Sequence, residues 1–318
     1  MATRTFAGGI HPPEHKELTN SLPVEQIDLP QQVIIPLHQH TGAPCTPRVN
    51  VGDSVTVGQV IGDSDAFISA PVHSSVAGHV VAIEPLPYFN NTRVPSVVIE
   101  VEGDQVWVPD QDPLDYRDIN VEDIRQAVRQ AGVVGLGGAA FPTHVKLTPP
   151  KNKPIDSVII NGCECEPYLT CDHRIMVERP QDVVLGANIA KKAVGASKVY
   201  IGIETNKPDA IRVMQEVAEQ EQDMEVVPLE VKYPEGAEKQ LIKAILDRRV
   251  PPGKLPNEVG ALVQNVGTAV AIAEAVTLGK PLFEMVLTVT GPCIAQPKNL
   301  KNLTCWSSVG DSPRHRGR

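Results

Sequence analysis

Three glycines within four residues, Gly135, Gly137 and Gly138, stand in the run Gly135-Leu136-Gly137-Gly138-Ala139-Ala140-Phe141-Pro142-Thr143. A residue without a Cβ opens backbone conformations in which N–H groups turn toward a bound phosphate or ring edge. Taken alone, such a cluster also makes an ordinary helix cap. Its setting narrows the choice. A helix pattern precedes it, with Asn120 as N-cap, Asp123 three residues on, Ile124, Ala127, Val128 and Ala131 at helical spacing, and Gly132 placed to end it. An apolar strand, Ser157-Val158-Ile159-Ile160, follows, and just past it begins a second loop, Asn161-Gly162-Cys163-Glu164-Cys165-Glu166-Pro167-Tyr168. In open α/β sheets ligands bind outside the carboxyl ends of strands, so these two loops are the predicted ligand site.

Beyond them strand and helix patterns alternate. Pro180 suits a first helical position and Gly195 a stop; Pro208 opens another helix to about Gln220, and further helices are predicted near residues 238–246 and 266–278. Strands are predicted over residues 198–203, 224–231 and 284–290. This alternation predicts an α/β, Rossmann-like domain over residues 118–283, with a mainly parallel sheet and helices on both faces. Residues 284–303 read as the start of a further, unfinished β domain, and residues 304–318, without apolar period and ending basic, as a disordered tail.

Residues 1–30, with Gly8-Gly9-Ile10-His11-Pro12-Pro13, read as an extended arm lying on another domain; His11 and His15, beside prolines, read as solvated. From residue 31 to 105 the reading is all-β. Short runs at 33–35, 49–51, 55–57, 60–61, 79–83 and 97–101 are punctuated by Gly-Asp, Pro and Ser turns. Their order resembles the barrel-sandwich fold of biotinyl and lipoyl carrier domains. A carrier needs a lysine at the tip of its central hairpin; here the tip is Asp63-Ser64-Asp65-Ala66-Phe67, and no lysine lies between Arg48 and Arg93. Acylation of this module is therefore excluded, which leaves a structural or docking role. Residues 107–119, rich in Pro and Asp, read as a linker.

Composition removes several functional classes. A formal charge of −9 over 318 residues and 4% aromatics argue against a basic face or stacking platform for nucleic acid. Six scattered cysteines suit a reducing compartment rather than a disulfide scaffold. Cys163, Cys165 and Cys171 beside His173 lack the second close pair that structural zinc prefers, so no metal site is predicted. The glycine run lacks the Gly-Lys-Ser/Thr ending of an NTPase loop. The most apolar window, residues 259–273, is interrupted by Gln264 and Asn265 and falls short of a membrane span.

The glycine run followed by Lys146 resembles the flavin loop of the NADH-binding flavoprotein subunit of respiratory complex I. A fuller match is to the RnfC family, a component of the Rnf (Rsx) ion-translocating oxidoreductase complexes. It adds the Gly8–Pro13 arm, the carrier-like module, the Asn161–Arg174 stretch, Tyr233-Pro234-Glu235-Gly236-Ala237-Glu238-Lys239 and Gln264-Asn265-Val266-Gly267-Thr268. What the resemblance implies is FMN held by Gly135, Gly137, Gly138, Lys146, Asn161, Glu164, Asn265 and Thr268, with NADH handled by Phe141, Glu166, Glu204 and Glu238. Cys163 departs from the acidic residue that the complex I loop carries there. The family continues into a β-grasp (SLBB-like) domain and a ferredoxin-like region with two 4Fe–4S clusters. No cysteine spacing here supplies their ligands, so the chain reads as a family member cut within the β-grasp segment. The resemblance further implies membrane subunits of such a complex as partners, ferredoxin or NADH as electron partner, and attachment to the cytoplasmic face of the bacterial inner membrane through those partners. Two functions follow as expectations: NADH-dependent flavin oxidoreductase component, or docking subunit with a weak nucleotide site.

Overall fold

The computed structural model describes residues 3–88, 91–109, 112–304 and 306–307. The first strand, β1 (Val24–Gln26), follows a 3-10 turn at Lys16–Leu18. Seven strands then build the β module: β2 (Gln32–Pro36), β3 (Thr46–Pro47), β4 (Ser54–Val55), β5 (Val60–Asp63), β6 (Val72–His73), β7 (Gly78–Pro87) and β8 (Arg93–Val101). Alternate residues Val33 and Ile35 of β2, and Val97 and Ile99 of β8, turn inward onto Leu37, Ile61, Val76 and Val80. That period of two sandwiches one core between the sheet holding β2-β8-β7-β4 and the sheet β3-β5-β6. Residues 49–51, expected as a strand, form a turn instead: Gly52 N–H donates to Val80 O, and Asn50 N–H to the Asp53 carboxylate.

The carrier-like hairpin tip has become a dock. Asp63 Oδ1 and Ser64 O both accept from Arg129 (3.0 and 2.7 Å), and Phe67 O sits 3.0 Å from His144 Nε2 while the two rings meet edge to face.

The linker leads into α1 (Val121–Gln130), whose Asn120 cap accepts from Asp123 N–H as predicted, then the glycine loop and a four-residue helix, α2 (Thr143–Lys146). Next come β9 (Ser157–Gly162), α3 (Cys171–Glu178), α4 (Pro180–Val194), β10 (Lys198–Glu204), α5 (Pro208–Ala218), β11 (Met224–Leu229), α6 (Glu238–Leu246), β12 (Ala261–Asn265) and α7 (Val266–Leu278). The four strands pair in parallel in the order β11-β10-β9-β12. Consecutive residues of β9 face opposite cores: Val158 and Ile160 pack with α1, α4, α5 and α7, and Ile159 packs with α6. Helices α3 and α2 and strand β12 were not legible as elements. The apolar window 259–273 splits at Asn265 into β12 and α7, and among the described residues no helix is long and apolar enough to cross a membrane.

Strands β13 (Glu284–Val289) and β14 (Lys298–Leu303) pair antiparallel, and β1 joins β14 in parallel. The arm does lie on its neighbour: Arg4 bridges Leu229 at the edge of β11, and Ile10 exchanges backbone bonds with Tyr233. The expectation of an unstructured tail from residue 304 needs correcting at its start. Thr304 N–H donates to Phe283 O, and β15 (Trp306–Ser307) pairs with Ile34 and Val33 of β2. The rest of the tail lies outside the described residues.

Helices α4 and α7 cross so closely that a Cβ on Gly186 would stand 1.8 Å from Ala269 O. Helix interiors disfavour glycine, and here the crossing requires it. Gly186→Ala is expected to destabilise the chain by about 3 kcal/mol, the upper end of overpacking costs, measurable as a lowered urea midpoint.

Candidate functional site

The chain fills the sheet outward from β9 through β10 to β11, then returns to place β12 on the other side of β9. That reversal makes the carboxyl ends of β9 and β12 a topological switch point, the position where open α/β sheets form a ligand crevice. Two asparagines meet there in register, Asn161 of β9 opposite Asn265 of β12. Asn161 therefore belongs to the strand, which runs two residues further than the apolar pattern shows. Its Nδ2 donates to Gly236 O (2.8 Å), and its Oδ1 accepts from Cys163 N–H (3.2 Å). Asn265 caps α7, its Oδ1 accepting from Gly267 and Thr268 N–H, while its Nδ2 donates to Asp172 (2.6 Å).

The glycine loop closes on itself through Gly135 N–H to Phe141 O and Thr143 N–H to Val133 O, both 2.9 Å. It is tied to the first turn of α7 by Leu136 N–H donating to Thr268 Oγ1 (2.9 Å), and a Cβ on Gly137 would touch Asn265 Cβ at 3.3 Å. Gly137, Gly138 and Ala139 are exposed. Gly138 has φ +128° with nothing within 4 Å of a Cβ position, so glycine is needed there for its backbone and the space beside it is open. Beyond the loop, Lys146 on α2 donates to Val263 O (2.6 Å) and pairs with Glu238 (3.3 Å) at the start of α6. One residue before Asn265, the buried Gln264 Nε2 finds no acceptor. An open glycine loop beside a helix N-terminus, a lysine and two asparagine amides fit the phosphate and polar ring edge of a flavin mononucleotide.

Behind the crevice the second loop is packed hard. Glu164, 5% exposed and at φ 46°, turns its carboxylate onto the N-terminus of α3, accepting from Asp172 N–H (2.7 Å) and His173 N–H (3.4 Å). Burial, reinforced by the neighbouring Glu164 charge, pushes the Asp172 carboxyl well above the usual carboxylate range. Glu204, at the end of β10, is 1% exposed and pushed up to about 7 by burial, which outweighs the attraction of Lys207 3.4 Å away. Glu235 is likewise raised to about 7 by burial, with Oε1 unpartnered. Burial raises the Cys163 and Cys171 thiols and takes Cys165 to about 11, which disfavours their reactive thiolate forms. Among the described residues one His/Cys/Asp/Glu trio, Glu164, Cys171 and Asp172, has ligand atoms within 4.8 Å of one another, and both its carboxylates are already committed to the α3 cap and Asn265.

The Nuo51 FMN-binding domain family matches residues 128–274, and the RnfC barrel sandwich hybrid domain family matches residues 4–104. The RnfC component of the Na+-translocating ferredoxin:NAD+ oxidoreductase complex of Acetobacterium woodii is 48% identical over 93% of the chain. Its counterpart of the proton-translocating complex in Clostridium ljungdahlii is 45% identical over the same share. The chain belongs to the RnfC family. It spans about two thirds of these relatives' length, 67% and 65%. Two structures of an NAD+-reducing NiFe-hydrogenase, H2-reduced and air-oxidised, superpose on 58% and 60% of the chain and on 37% and 38% of their own. Both have TM-score 0.50, at 25% and 24% identity.

Within this RnfC fold the structure brings Gly135, Gly137, Gly138, Asn161, Asn265 and Thr268 to one crevice, with Lys146 and Glu238 paired along its α6 side. Phe141 is half-buried at the base of the loop, and Glu166 is exposed. Glu164 lies behind the crevice as the cap of α3. Glu204 stands apart, beneath the arm, in a 90 Å³ pocket lined by His11, Glu14, Lys16, Cys165 and Lys232. A larger cavity of 460 Å³ lies between the glycine loop and the barrel module, lined by Gly135, Leu136 and Gly138 of the loop with His40, His73 and Met285. It is set off from the two asparagines, whose register marks the better candidate.

Asp172, Lys16 and Lys207 were missed. Asp172 sits inside the second motif, and its place beside Asn265 follows only from α3, which the sequence pattern did not reveal. Nothing local marks the two lysines.

The Glu204 carboxyl ionises near 4.5 in an unfolded chain and near 7 in the folded protein. It therefore withdraws stability as pH rises through that window. Glu204→Gln is expected to match the parent near pH 4, to gain on it up to pH 7 and to hold a constant advantage above, read from urea melts across the range.

Proposed function

We propose that the chain binds FMN in the crevice between β9 and β12 and serves as the NADH-facing electron-transfer part of a ferredoxin:NAD+ oxidoreductase complex. The observation that carries this is the in-register pair Asn161 and Asn265, with the glycine loop bonded to the first turn of the helix that Asn265 caps. The relatives' names and the Nuo51 FMN-binding match support the same reading. Bound FMN would supply the exchange between a two-electron donor and one-electron acceptors.

The chain's own residues do the holding. The open Gly137-Gly138 backbone, beside the positive end of α7 and Thr268, favours the phosphate. Lys146 offsets its charge, and the Asn161 and Asn265 amides meet the polar edge of the ring or the ribityl chain. Glu164 acts through α3, keeping Asp172 on Asn265. Phe141, Glu166 and Glu238 border the open side, where the nicotinamide nucleotide stacks and carboxylates accept from ribose hydroxyls. Glu204 supports this side from beneath the arm through Lys207. The parallel sheet is Rossmann-like in this reading, and β13, β14 and β1 are the opening of a β-grasp domain. Electrons continue to iron–sulfur carriers and membrane subunits of the complex, on its cytoplasmic face. The alternative is a docking or scaffold role for the barrel module, with a weak or empty nucleotide site.

The deciding experiment is an anaerobic NADH titration of the chain after incubation with FMN, followed at the flavin absorbance band. Bleaching is the expected outcome. FMN that binds but stays oxidised removes the nicotinamide assignments, and failure to retain FMN leaves the docking role alone. Lys146→Ala is expected to weaken FMN about tenfold, the cost of one charge-assisted bond, by fluorescence titration.

A further inference from the structure

The N-terminal arm delivers a buried ammonium to the back of the second loop. Lys16, 6% exposed, donates from Nζ to Glu164 O (2.8 Å), Glu166 O (2.9 Å) and Leu169 O (2.6 Å). An ammonium has three protons, and all three are spent on neutral carbonyls of one loop. Two more contacts tie arm and loop together: Tyr168 N–H donates to Glu14 O (2.8 Å), and the His15 ring stacks on Tyr168 with centroids 4.8 Å apart.

That loop carries local strain. Glu164 has φ 46°, a left-handed conformation that costs a non-glycine residue about 1–3 kcal/mol and persists only where its surroundings enforce it. Two lysines do so. Lys207, fully buried, donates to Cys163 O (2.6 Å) and fixes the peptide plane before Glu164; Lys16 fixes the plane after it. In that conformation the Glu164 carboxylate meets the N-terminus of α3, Asp172 on the first turn of α3 meets Asn265, and Asn265 caps α7.

We propose that Lys16 is a positioning residue for the cofactor crevice: from the arm, it holds the Glu164 loop in the one conformation that sets Asp172 against Asn265. This rests on the reading that FMN binds there. Lys16 touches neither cofactor nor nucleotide and acts through the loop. Lys232 provides the comparison. It is also a buried lysine serving the arm, donating to Phe6 O (2.5 Å), and its Nζ makes no bond to the loop.

The test compares the full chain with Lys16→Met and Lys232→Met, measuring FMN affinity by fluorescence, the visible circular dichroism of bound flavin, and amide hydrogen exchange over residues 163–172. Lys16→Met is expected to weaken FMN about tenfold or more, to change the flavin dichroism and to speed exchange across the loop. Lys232→Met is expected to leave all three as in the parent. Parent-like affinity and exchange in Lys16→Met overturn the proposal, as does an equal loss in both variants. If the parent retains no FMN, the cofactor reading fails and exchange alone decides: faster exchange in Lys16→Met upholds the positioning role, and unchanged exchange removes it. Should Lys16→Met not fold, Lys16→Arg keeps the charge while its planar fork mismatches three converging carbonyls. About threefold weaker FMN supports the proposal, and parent-like behaviour overturns it.

Discussion

The site depends on one strand pairing. Because β12 returns to the free edge of β9 in register, Asn161 and Asn265 end side by side, and each then has a task only its amide can perform. Asn265 accepts at the start of α7 and donates to Asp172; Asn161 accepts from its own loop and donates to Gly236. A shift of register by one residue would turn the paired side chains to opposite faces of the sheet. The alternating burial of Val158, Ile159 and Ile160 between two separate cores resists that shift.

Around this pair the β module acts as a fixed neighbour. In a carrier domain the hairpin tip must be free to travel with its acyl group. Here the tip lacks a lysine and is spent on Arg129 and His144, one at the end of α1 and one directly after the glycine loop. Thr41 of the same module donates from Oγ1 to Ala139 O and from N–H to Ala140 O, on the loop itself. The barrel thus braces the loop ahead of its glycines, at Arg129, and behind them, at Ala139, Ala140 and His144. A tip without an acceptor lysine and held by these contacts suits a scaffold and not a mobile carrier.

How far the sequence alone reaches depends on whether the deciding contact is local. Helices α1, α4, α6 and α7 were legible to within a residue at either end, because caps and stops such as Asn120, Pro180, Gly195 and Asn265 act within a turn of themselves. The glycine loop and Asn161 stood out locally, whereas Asn265 was marked as a site residue only by the family resemblance. Helix α3 was not: its cap is the Glu164 carboxylate, six residues outside the first turn, and its N-cap Thr170 makes no side-chain capping bond. Strand β12 hid inside an apolar window whose boundary is visible only once Asn265 is seen to end one element and begin the next. Glu204 and Glu164 were placed at the ligand by motif, whereas their burial is decided by an arm some 150 residues or more away in the chain.

The arm also explains where a ligand has room. It runs along the carboxyl rim of the sheet from β11, where Arg4 bridges Leu229, past the end of β10, where Glu14 takes the Asn206 amide, to the loop after β9, where Lys16 is buried. Lys16, Lys207 and Lys232 bring three ammonium groups into that rim, and Glu204 and Glu235 bring two carboxyls that burial already drives toward neutrality. Charges withdrawn from water require partners. The three ammonium groups have them in backbone carbonyls and in the carboxylates beside them, so opening the rim to a nucleotide would strip several of them at once. Between β9 and β12 the rim is bordered instead by the open Gly137-Gly138 backbone, the two asparagines and Asp172. The same strap that closes the β11 and β10 side of the rim leaves Gly137 and Gly138 of the glycine loop exposed.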